Sequence, residues 1–221
     1  MKVIILAGGL GTRLSEYTDL IPKPMVKIGE KPILHHIMQI FAYYGYKDFV
    51  IALGYKGNLI KEYFINYKNL NSDIEVNLSS GRINTLKADN LDWNISLINT
   101  GIKTSTGGRI KFLKNKINNE KFFLTYGDGL SNIDINDLLD FHNSHGKLIT
   151  ISAVRPTARF GELKISSGRI DYFEEKPQLK QGWINGGFMV IEPEFLDYIE
   201  DNNFMLEREP FTKAAENGQL M

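Results

Sequence analysis

Short apolar runs that end in glycine recur along the chain and predict a buried sheet. Val3–Ala7, Phe49–Leu53 and Phe122–Tyr126 are such runs, and a glycine follows each of them directly. Runs rich in β-branched and aromatic residues, without polar alternation, are typical of parallel strands covered on both faces. Ile149–Val154 and Gly186–Ile191 are predicted to be further strands.

Between these runs, apolar residues recur at helical spacing. Apolar residues spaced for one helix face predict a helix that opens at Pro32 and stops at Gly45. Other helices are predicted at 59–67, after the polar loop 100–109, at 137–145 and at 193–199. Extended edge segments are predicted at 74–78 and 93–98, and a hairpin that turns at 167–168 is predicted over 161–173. Strands alternating with helices are typical of a helix-covered parallel sheet, so the predicted fold class is α/β. No repeat or low-complexity linker interrupts the pattern, which favours a single domain over 1–221.

The composition narrows the function classes. Lys plus Arg and Asp plus Glu number 26 each, and zero net charge argues against nucleic acid or an anionic membrane as a partner. The lack of cysteine excludes disulfides, thiolate catalysis and cysteine metal sites. His35 and His36 are adjacent and cannot share a helix face, which disfavours a histidine zinc site. No apolar run reaches about 18 residues, the length of a membrane span. The chain starts with a core strand, so we expect no signal peptide, and we expect the protein to be cytoplasmic.

The glycines after the first strand have the character of an anion-binding loop. Gly8, Gly9 and Gly11 occur there, and glycine lets backbone N–H groups approach an anion closely. Arg13 at the far end of the loop and Lys23 ten residues further on add positive charge. Ligands of open α/β sheets bind at the carboxyl ends of the strands, where this loop lies. The sequence therefore predicts a phosphate-binding loop.

Spacing excludes two common phosphate loops. The dinucleotide fingerprint needs a third glycine at the position that Leu14 occupies. The P-loop needs the string Gly-x-x-x-x-Gly-Lys-Ser/Thr, which does not occur in this chain. The remaining pattern, Leu6-Ala-Gly-Gly-Leu-Gly-Thr-Arg13 with Pro22-Lys-Pro-Met25 downstream, resembles the signature of the sugar-1-phosphate nucleotidylyltransferases. The resemblance implies a three-layer, Rossmann-like α/β fold with a mixed, mostly parallel sheet. A tight turn with unconnected basic residues is the alternative interpretation.

Asp128 is the candidate metal ligand. It follows a buried strand and has glycine on either side, so its carboxylate can reach a ligand. Mg²⁺ prefers one or two carboxylates together with substrate phosphates, although an isolated Asp in a turn is also a common turn former. In the reaction that the resemblance implies, an already ionised sugar phosphate attacks the α-phosphorus of a nucleoside triphosphate, so positive charge and positioning replace a general base. We therefore expect Arg13, Lys23 and Asp128 to be the catalytic residues.

Further stretches resemble one group within this family, the glucose-1-phosphate cytidylyltransferases. They are Thr104–Lys111, Tyr126–Gly129, Asp140–His142, Arg159–Gly161 and Ile184–Gly187. The resemblance implies CTP and α-D-glucose 1-phosphate as substrates, Mg²⁺ as cofactor and assembly as a homo-oligomer. It also implies that the product, CDP-glucose, feeds deoxysugar synthesis for surface polysaccharide such as O-antigen.

The same resemblance assigns binding roles to individual positions. The nucleotide-binding set that it implies is Leu6, Ala7, Gly8, Gly9, Gly11, Thr12, Arg13, Lys23, Thr104 and Arg109, and the sugar-phosphate set is Glu175, Lys176, Asn185 and Gly186. A solvated charged turn is the alternative for residues 174–176. Cytosine offers two adjacent acceptors and a guanidinium presents only donors, so Arg109 would accept cytosine and repel uracil. Pairing of Arg109 with phosphate is the alternative.

Other readings of the chain stay open. Members of the group continue for a few dozen residues beyond Met221, and that tail carries a second magnesium-binding aspartate, so we expect this chain to lack the tail. The same chemistry could use another nucleotide or sugar phosphate. A non-catalytic sugar-nucleotide-binding subunit is the alternative from a different class, although the retained Arg13, Lys23, Asp128 and Lys176 argue against it.

Overall fold

The strands and helices alternate along the chain as the sequence predicts. The computed structural model describes residues 1–10, 20–87, 90–156, 162–166, 169–174, 182–200 and 203–221. Its strands are β1 (Lys2–Ala7), β2 (Lys27–Ile28), β3 (Lys31–Pro32), β4 (Asp48–Leu53), β5 (Asp73–Asn77), β6 (Arg82–Lys87), β7 (Asn94–Asn99), β8 (Phe122–Tyr126), β9 (Ile149–Val154), β10 (Glu162–Ser166), β11 (Arg169–Glu174) and β12 (Ile184–Ile191). Its helices are α1 (Ile33–Tyr43), α2 (Gly57–Ile65), α3 (Tyr67–Leu70), α4 (Thr106–Phe112), α5 (Lys114–Ile117), α6 (Ile135–His145) and α7 (Glu209–Glu216), with 3₁₀ turns at Lys23–Met25 and Pro193–Tyr198.

A six-stranded mixed sheet in the order β7-β4-β1-β8-β12-β9 forms the centre of the fold. The first four strands of this order run parallel, whereas β12 is antiparallel to both β8 and β9. The register sets Leu6 opposite Tyr126 and Ala7 opposite Leu53, so the carboxyl ends of β1, β4 and β8 are level. Since β12 runs in the other direction, it contributes its first residues to the same edge.

Two hydrophobic clusters cover the two faces of the sheet. Alternate residues of β1 serve different clusters: Val3, Ile5 and Ala7 lie in one, Ile4 and Leu6 in the other. The first cluster includes side chains of α1, α2 and α6, and the second includes those of α4, α5, α7 and the second 3₁₀ turn. This three-layer arrangement confirms the predicted fold class.

Several predicted boundaries were wrong for identifiable reasons. The helix predicted at 59–67 is two helices, because the Asn66 side-chain amide donates to the Glu62 carbonyl over 2.9 Å and ends α2. The loop predicted at 100–109 ends at Ser105, and the helix predicted at 193–199 is a 3₁₀ turn. The hairpin of β10 and β11 forms as predicted, with its turn at 167–168 outside the described residues.

Two further findings concern segments outside the central sheet. The extended segment predicted near 74–78 pairs with β6 in a separate, exposed hairpin. The segment predicted at 93–98 is β7, an edge strand of the main sheet, as expected. Among the residues that the structure describes, no helix has the length and apolar character needed to cross a membrane.

Candidate active site

A cleft of about 270 Å³ opens at the carboxyl edge of the sheet. Eight residues that the sequence analysis selected line it together: Leu6, Ala7, Gly8, Gly9, Lys23, Thr104, Arg109 and Asp128. Asn185 and Gly186 lie at the start of β12, beside this lining. The remaining selected positions, Gly11, Thr12, Arg13, Glu175 and Lys176, fall outside the described residues.

Gly8 is required by packing against Arg109. A Cβ at this position would lie 2.3 Å from Nη1 of Arg109, closer than any carbon can approach. The Gly8 carbonyl accepts hydrogen bonds from Nη2 of Arg109 (2.9 Å) and from the main-chain amide of Tyr55 (3.3 Å). Among the described residues, none has an atom within 4 Å of a Cβ added at Gly9.

Arg109 connects the carboxyl ends of three parallel strands. Its guanidinium is buried, and its donors reach acceptors at the end of β4 and directly after β1 and β7. The acceptors are Gly8 O (2.9 Å), Leu53 O (3.1 Å), Thr100 Oγ1 (2.7 Å), Gly101 O (2.7 Å) and Ile102 O (3.4 Å). Burial lowers the pKa of Arg109, but the acceptors around it stabilise the charged form. Both terminal nitrogens thus donate hydrogen bonds within the protein. Recognition of cytosine by Arg109 stays a prediction, and it would require Arg109 to exchange some of these hydrogen bonds for bonds to the base.

Lys23 and Asp128 form an ion pair across the cleft. Nζ of Lys23 lies 2.5 Å from Oδ2 of Asp128, and both side chains are about one third exposed, at 30% and 38%. Lys23 opens a 3₁₀ turn between two prolines, whose rings restrict the backbone. Gly127 lets the two segments approach, because a Cβ there would lie 3.0 Å from both Leu6 O and Pro24 Cγ.

The donor set around Asp128 is suited to magnesium held jointly with phosphates. In the described part of the chain, no group of three or more His, Asp or Glu side chains could hold a metal ion by itself. Asp128 presents a partly exposed carboxylate to the cleft. Mg²⁺ is bound in many phosphate-transfer sites by one or two carboxylates plus substrate oxygens, so Asp128 fits this role.

Paired glycines shape the start of β12, where the sequence analysis predicts a sugar-phosphate contact. Gly187 adopts a positive φ of 86°, and the pairing of β12 with β9 is irregular between Asn185 and Met189. The Asn185 side chain accepts from the Gly187 amide over 2.8 Å, which fixes its orientation. A Cβ at Gly186 would lie 2.7 Å from Oγ of Ser152, so this glycine permits close packing against β9.

Sequence reasoning missed residues that line or support the cleft. Ser105, Thr106, Tyr126 and Met205 belong to the lining, and Glu207 accepts hydrogen bonds from two of them. The position of Tyr126, directly before Gly127 and Asp128 at the end of a buried strand, could have indicated it. No local sequence signal indicates Glu207, because its partners are far away along the chain.

Comparisons with known proteins identify the family of the chain. The profile of the nucleotidyl transferase family matches residues 2–218. The chain belongs to the nucleotidyl transferase family. A glucose-1-phosphate cytidylyltransferase of Salmonella typhi is 46% identical over 222 residues, covering 100% of this chain and 86% of that protein. The resemblance found in the sequence motifs is thereby confirmed.

Two solved structures are similar to this chain in fold. HddC from Yersinia pseudotuberculosis is 27% identical, with a TM-score of 0.66 over 94% of this chain and 84% of that one. The inositol-1-phosphate CTP transferase from T. maritima is 16% identical, with a TM-score of 0.65 over 99% of this chain and 83% of that one. At that identity the second likeness concerns the fold alone.

Proposed function

We propose that the protein transfers a cytidylyl group from CTP to α-D-glucose 1-phosphate, giving CDP-glucose and pyrophosphate. The observation that carries this proposal is the 46% identity, along the whole chain, to the glucose-1-phosphate cytidylyltransferase of Salmonella typhi. The cleft supports it, because a lysine, a carboxylate and the two glycines Gly8 and Gly9 line it together at the carboxyl edge of the sheet.

The chemistry needs little from the protein besides charge and position. An oxygen of the sugar phosphate attacks the α-phosphorus of CTP, the bond to the bridging oxygen breaks, and pyrophosphate leaves with that oxygen. The attacking oxygen is already ionised near neutral pH, so no side chain has to remove a proton. Lys23 would leave Asp128 for the incoming triphosphate and stabilise negative charge near the α-phosphate.

Asp128 would hold Mg²⁺ in this reaction. The ion, when bound, supplies positive charge that neutralises the triphosphate oxygens. The chain contributes the carboxylate at the end of β8 and the glycine Gly127, which brings that carboxylate close to Lys23. Main-chain amides at the turn of Gly8 and Gly9 would face the phosphates.

Pyrophosphate release tests the proposal directly. The full chain is mixed with Mg²⁺ and glucose 1-phosphate, and CTP, UTP, dTTP and ATP are compared. Release that is fastest with CTP would support the cytidylyl transfer, and release with none of the four would contradict it. Replacing glucose 1-phosphate by mannose 1-phosphate or galactose 1-phosphate tests the sugar in the same assay.

Use of another nucleoside triphosphate is the second candidate function. One observation favours it: Arg109, the side chain expected to read cytosine, donates to main-chain carbonyls. A fastest rate with UTP or dTTP would support this alternative. A homo-oligomer is a further part of our proposal, and light scattering of the purified chain would test it.

A further inference from the structure

The Tyr126 hydroxyl lies between two parts of the proposed site. Tyr126 is the last residue of β8, and its side chain lines the cleft beside Asp128. The hydroxyl donates to Oε1 of Glu207 over 2.6 Å and lies 3.5 Å from Nδ2 of Asn185. The ring is also close to Gly187, where an added Cβ would be 3.3 Å from its edge. Tyr126 therefore connects the nucleotide cleft with the residue for which we expect a contact to the sugar.

Glu207 is itself held in place by a second donor. Oγ1 of Thr106, in the first turn of α4, donates to Oε2 of Glu207 over 2.8 Å and accepts from the Leu206 amide over 2.9 Å. The Gly107 amide donates to the Phe204 carbonyl over 3.0 Å. These bonds attach the segment around Glu207 to α4, so the carboxylate has a defined position relative to Tyr126.

The direction of the Tyr126 proton decides what the hydroxyl can bind. A phenolic hydroxyl has one proton to donate and can also accept. Because the proton points to Glu207, only acceptor capacity is left for Asn185 and for a ligand. Burial and the hydrogen bond to Glu207 raise the pKa of Tyr126, so the hydroxyl stays neutral. Such an oxygen can accept from a sugar hydroxyl but offers nothing to a phosphate oxygen.

We propose that Glu207 is a positioning residue that directs the Tyr126 hydroxyl to accept a hydrogen bond from one hydroxyl of the bound sugar. The inference rests on the proposed function, since it requires a sugar phosphate beside the nucleotide. Glu207 acts through Tyr126 and selects for a hydrogen-bond donor at one point of the sugar ring.

A double-mutant cycle tests the connection between the two residues. Tyr126→Phe, Glu207→Gln and the double variant are compared with the unmodified chain, and KM is measured separately for glucose 1-phosphate and for CTP. We expect each single change to raise KM for glucose 1-phosphate about three- to tenfold, the usual value of one hydrogen bond, with KM for CTP unchanged. The double variant should be no worse than Tyr126→Phe, because both changes affect the same contact.

Deoxy analogues identify the sugar hydroxyl. The unmodified chain should bind one of the 2-, 3-, 4- and 6-deoxy glucose 1-phosphates less well through loss of this contact. That penalty should disappear in Tyr126→Phe and become smaller in Glu207→Gln. Glu209→Gln is the matched control, since Glu209 is exposed, pairs with Lys213 over 3.0 Å and lies outside the cleft lining.

Several results would overturn the inference. If the effects of the single changes add in the double variant, or if Glu207→Gln lowers only thermal stability, Glu207 merely anchors its own segment. If the unmodified chain turns over CTP and glucose 1-phosphate while both single variants keep its KM values, the inference fails and the proposed function stands. If no nucleotide is turned over, the proposed function fails, and the inference is then tested by calorimetric binding of glucose 1-phosphate. Equal affinity in the unmodified chain and in Tyr126→Phe would overturn the inference, and so would the lack of any binding.

Discussion

Nζ of Lys23 and Oδ2 of Asp128 lie 2.5 Å apart, although 105 positions separate the two residues along the chain. The pair is about one third exposed, and an ion pair of this kind contributes about 1 kcal/mol or less to stability. Its exchange for new partners therefore costs little. In the proposed reaction, an arriving triphosphate would bind the lysine and a divalent cation would bind the carboxylate, so the pair would hold both groups in place until the substrate arrives.

Replacement of Lys23 should remove catalysis without unfolding the protein. Lys23→Ala is expected to lower kcat about 10²- to 10³-fold, the usual effect of losing one preorganised group that stabilises charge in a transition state. The free energy of unfolding in urea should change by about 1 kcal/mol or less. The control is Lys47→Ala, which breaks the surface pair of Lys47 with Asp92 (2.7 Å) and should leave kcat unchanged. A full rate in Lys23→Ala would refute the catalytic role.

Asp128 should govern the response to magnesium. We expect chelation by EDTA to abolish pyrophosphate release, and Asp128→Asn to need more Mg²⁺ for its half-maximal rate, since an amide binds the ion more weakly than a carboxylate. CTP should raise the melting temperature more with Mg²⁺ than without it, and this difference should be lost in the variant. Asp92→Asn serves as the control. Equal magnesium dependence in Asp128→Asn would contradict this assignment.

Gly8 and Gly9 should respond differently to the same substitution. Gly8→Ala places a methyl group 2.3 Å from Arg109 Nη1, so we expect a loss of about 1–3 kcal/mol in the free energy of unfolding. The methyl group of Gly9→Ala would meet no atom within 4 Å in the described part of the chain, so this variant should stay within about 0.5 kcal/mol of the unmodified chain. Urea titrations of both variants measure the difference, and equal losses would show that the packing argument is wrong.

Arg109 should matter for stability whether or not it touches the nucleotide. Arg109→Met removes hydrogen bonds to the carbonyls of Gly8, Leu53 and Gly101, and we expect a loss of about 2–4 kcal/mol. The Gly8 and Leu53 carbonyls keep donors in Tyr55 and Thr100, so the greatest cost falls on the Gly101 carbonyl. Arg82→Ala, at an exposed position, is the control. In Arg109→Ala, an unchanged ratio of kcat/KM for CTP over UTP would refute the cytosine-reading hypothesis, whereas a fall in that ratio would support it.

The central strands of the sheet were predictable, because a strand that is buried on both faces consists of a continuous apolar run. β1 and β8 illustrate this, since both match the predicted Val3–Ala7 and Phe122–Tyr126 within one residue. The antiparallel direction of β12 could not be predicted, because a buried strand of either direction has the same apolar pattern. Helix ends were also less accurate where a side chain such as Asn66 competes for backbone hydrogen bonds.

The candidate site was predictable where its residues follow a strand directly. Gly8, Gly9 and Asp128 stand in such positions, so topology alone brings them to one edge. Glu207 shows the opposite case, because its neighbours in space come from α4 and β8, about 80 to 100 positions away. Only the packing of the second 3₁₀ turn and α7 onto the sheet brings it there, and no local motif encodes that packing.

A directed chain of hydrogen bonds joins two histidines at the edge of the sheet opposite the cleft. The Lys147 amide donates to Nδ1 of His145 over 2.9 Å, so the neutral ring carries its proton on Nε2 and donates to Oγ1 of Thr150 over 2.7 Å. The Thr150 hydroxyl is then left to donate to Nδ1 of His142 over 2.8 Å, and Nε2 of His142 donates to Glu192 over 3.2 Å. Each donor in this series of hydrogen bonds therefore has an acceptor when both histidines are neutral.

Acid should therefore destabilise the protein through these histidines. Burial lowers the pKa of His142 and of His145 below the ordinary value of about 6.5. At pH values below 6.5 the unfolded chain binds more protons than the folded one, so the free energy of unfolding falls as the pH falls. The stabilisation is complete above pH 6.5 and is lost between that value and the lower pKa values of the folded state.

Urea unfolding between pH 8 and pH 5 measures this dependence. His142→Gln removes one of the two titrating groups and should flatten the decline below pH 6.5. Thr150→Val removes the buried hydroxyl that joins the rings and should lower stability by about 1–3 kcal/mol at pH 8. Thr212→Val is its control, since the Thr212 hydroxyl is exposed and bonds only to the Arg208 carbonyl among the described residues. A decline of equal slope in His142→Gln would show that other groups cause the acid sensitivity.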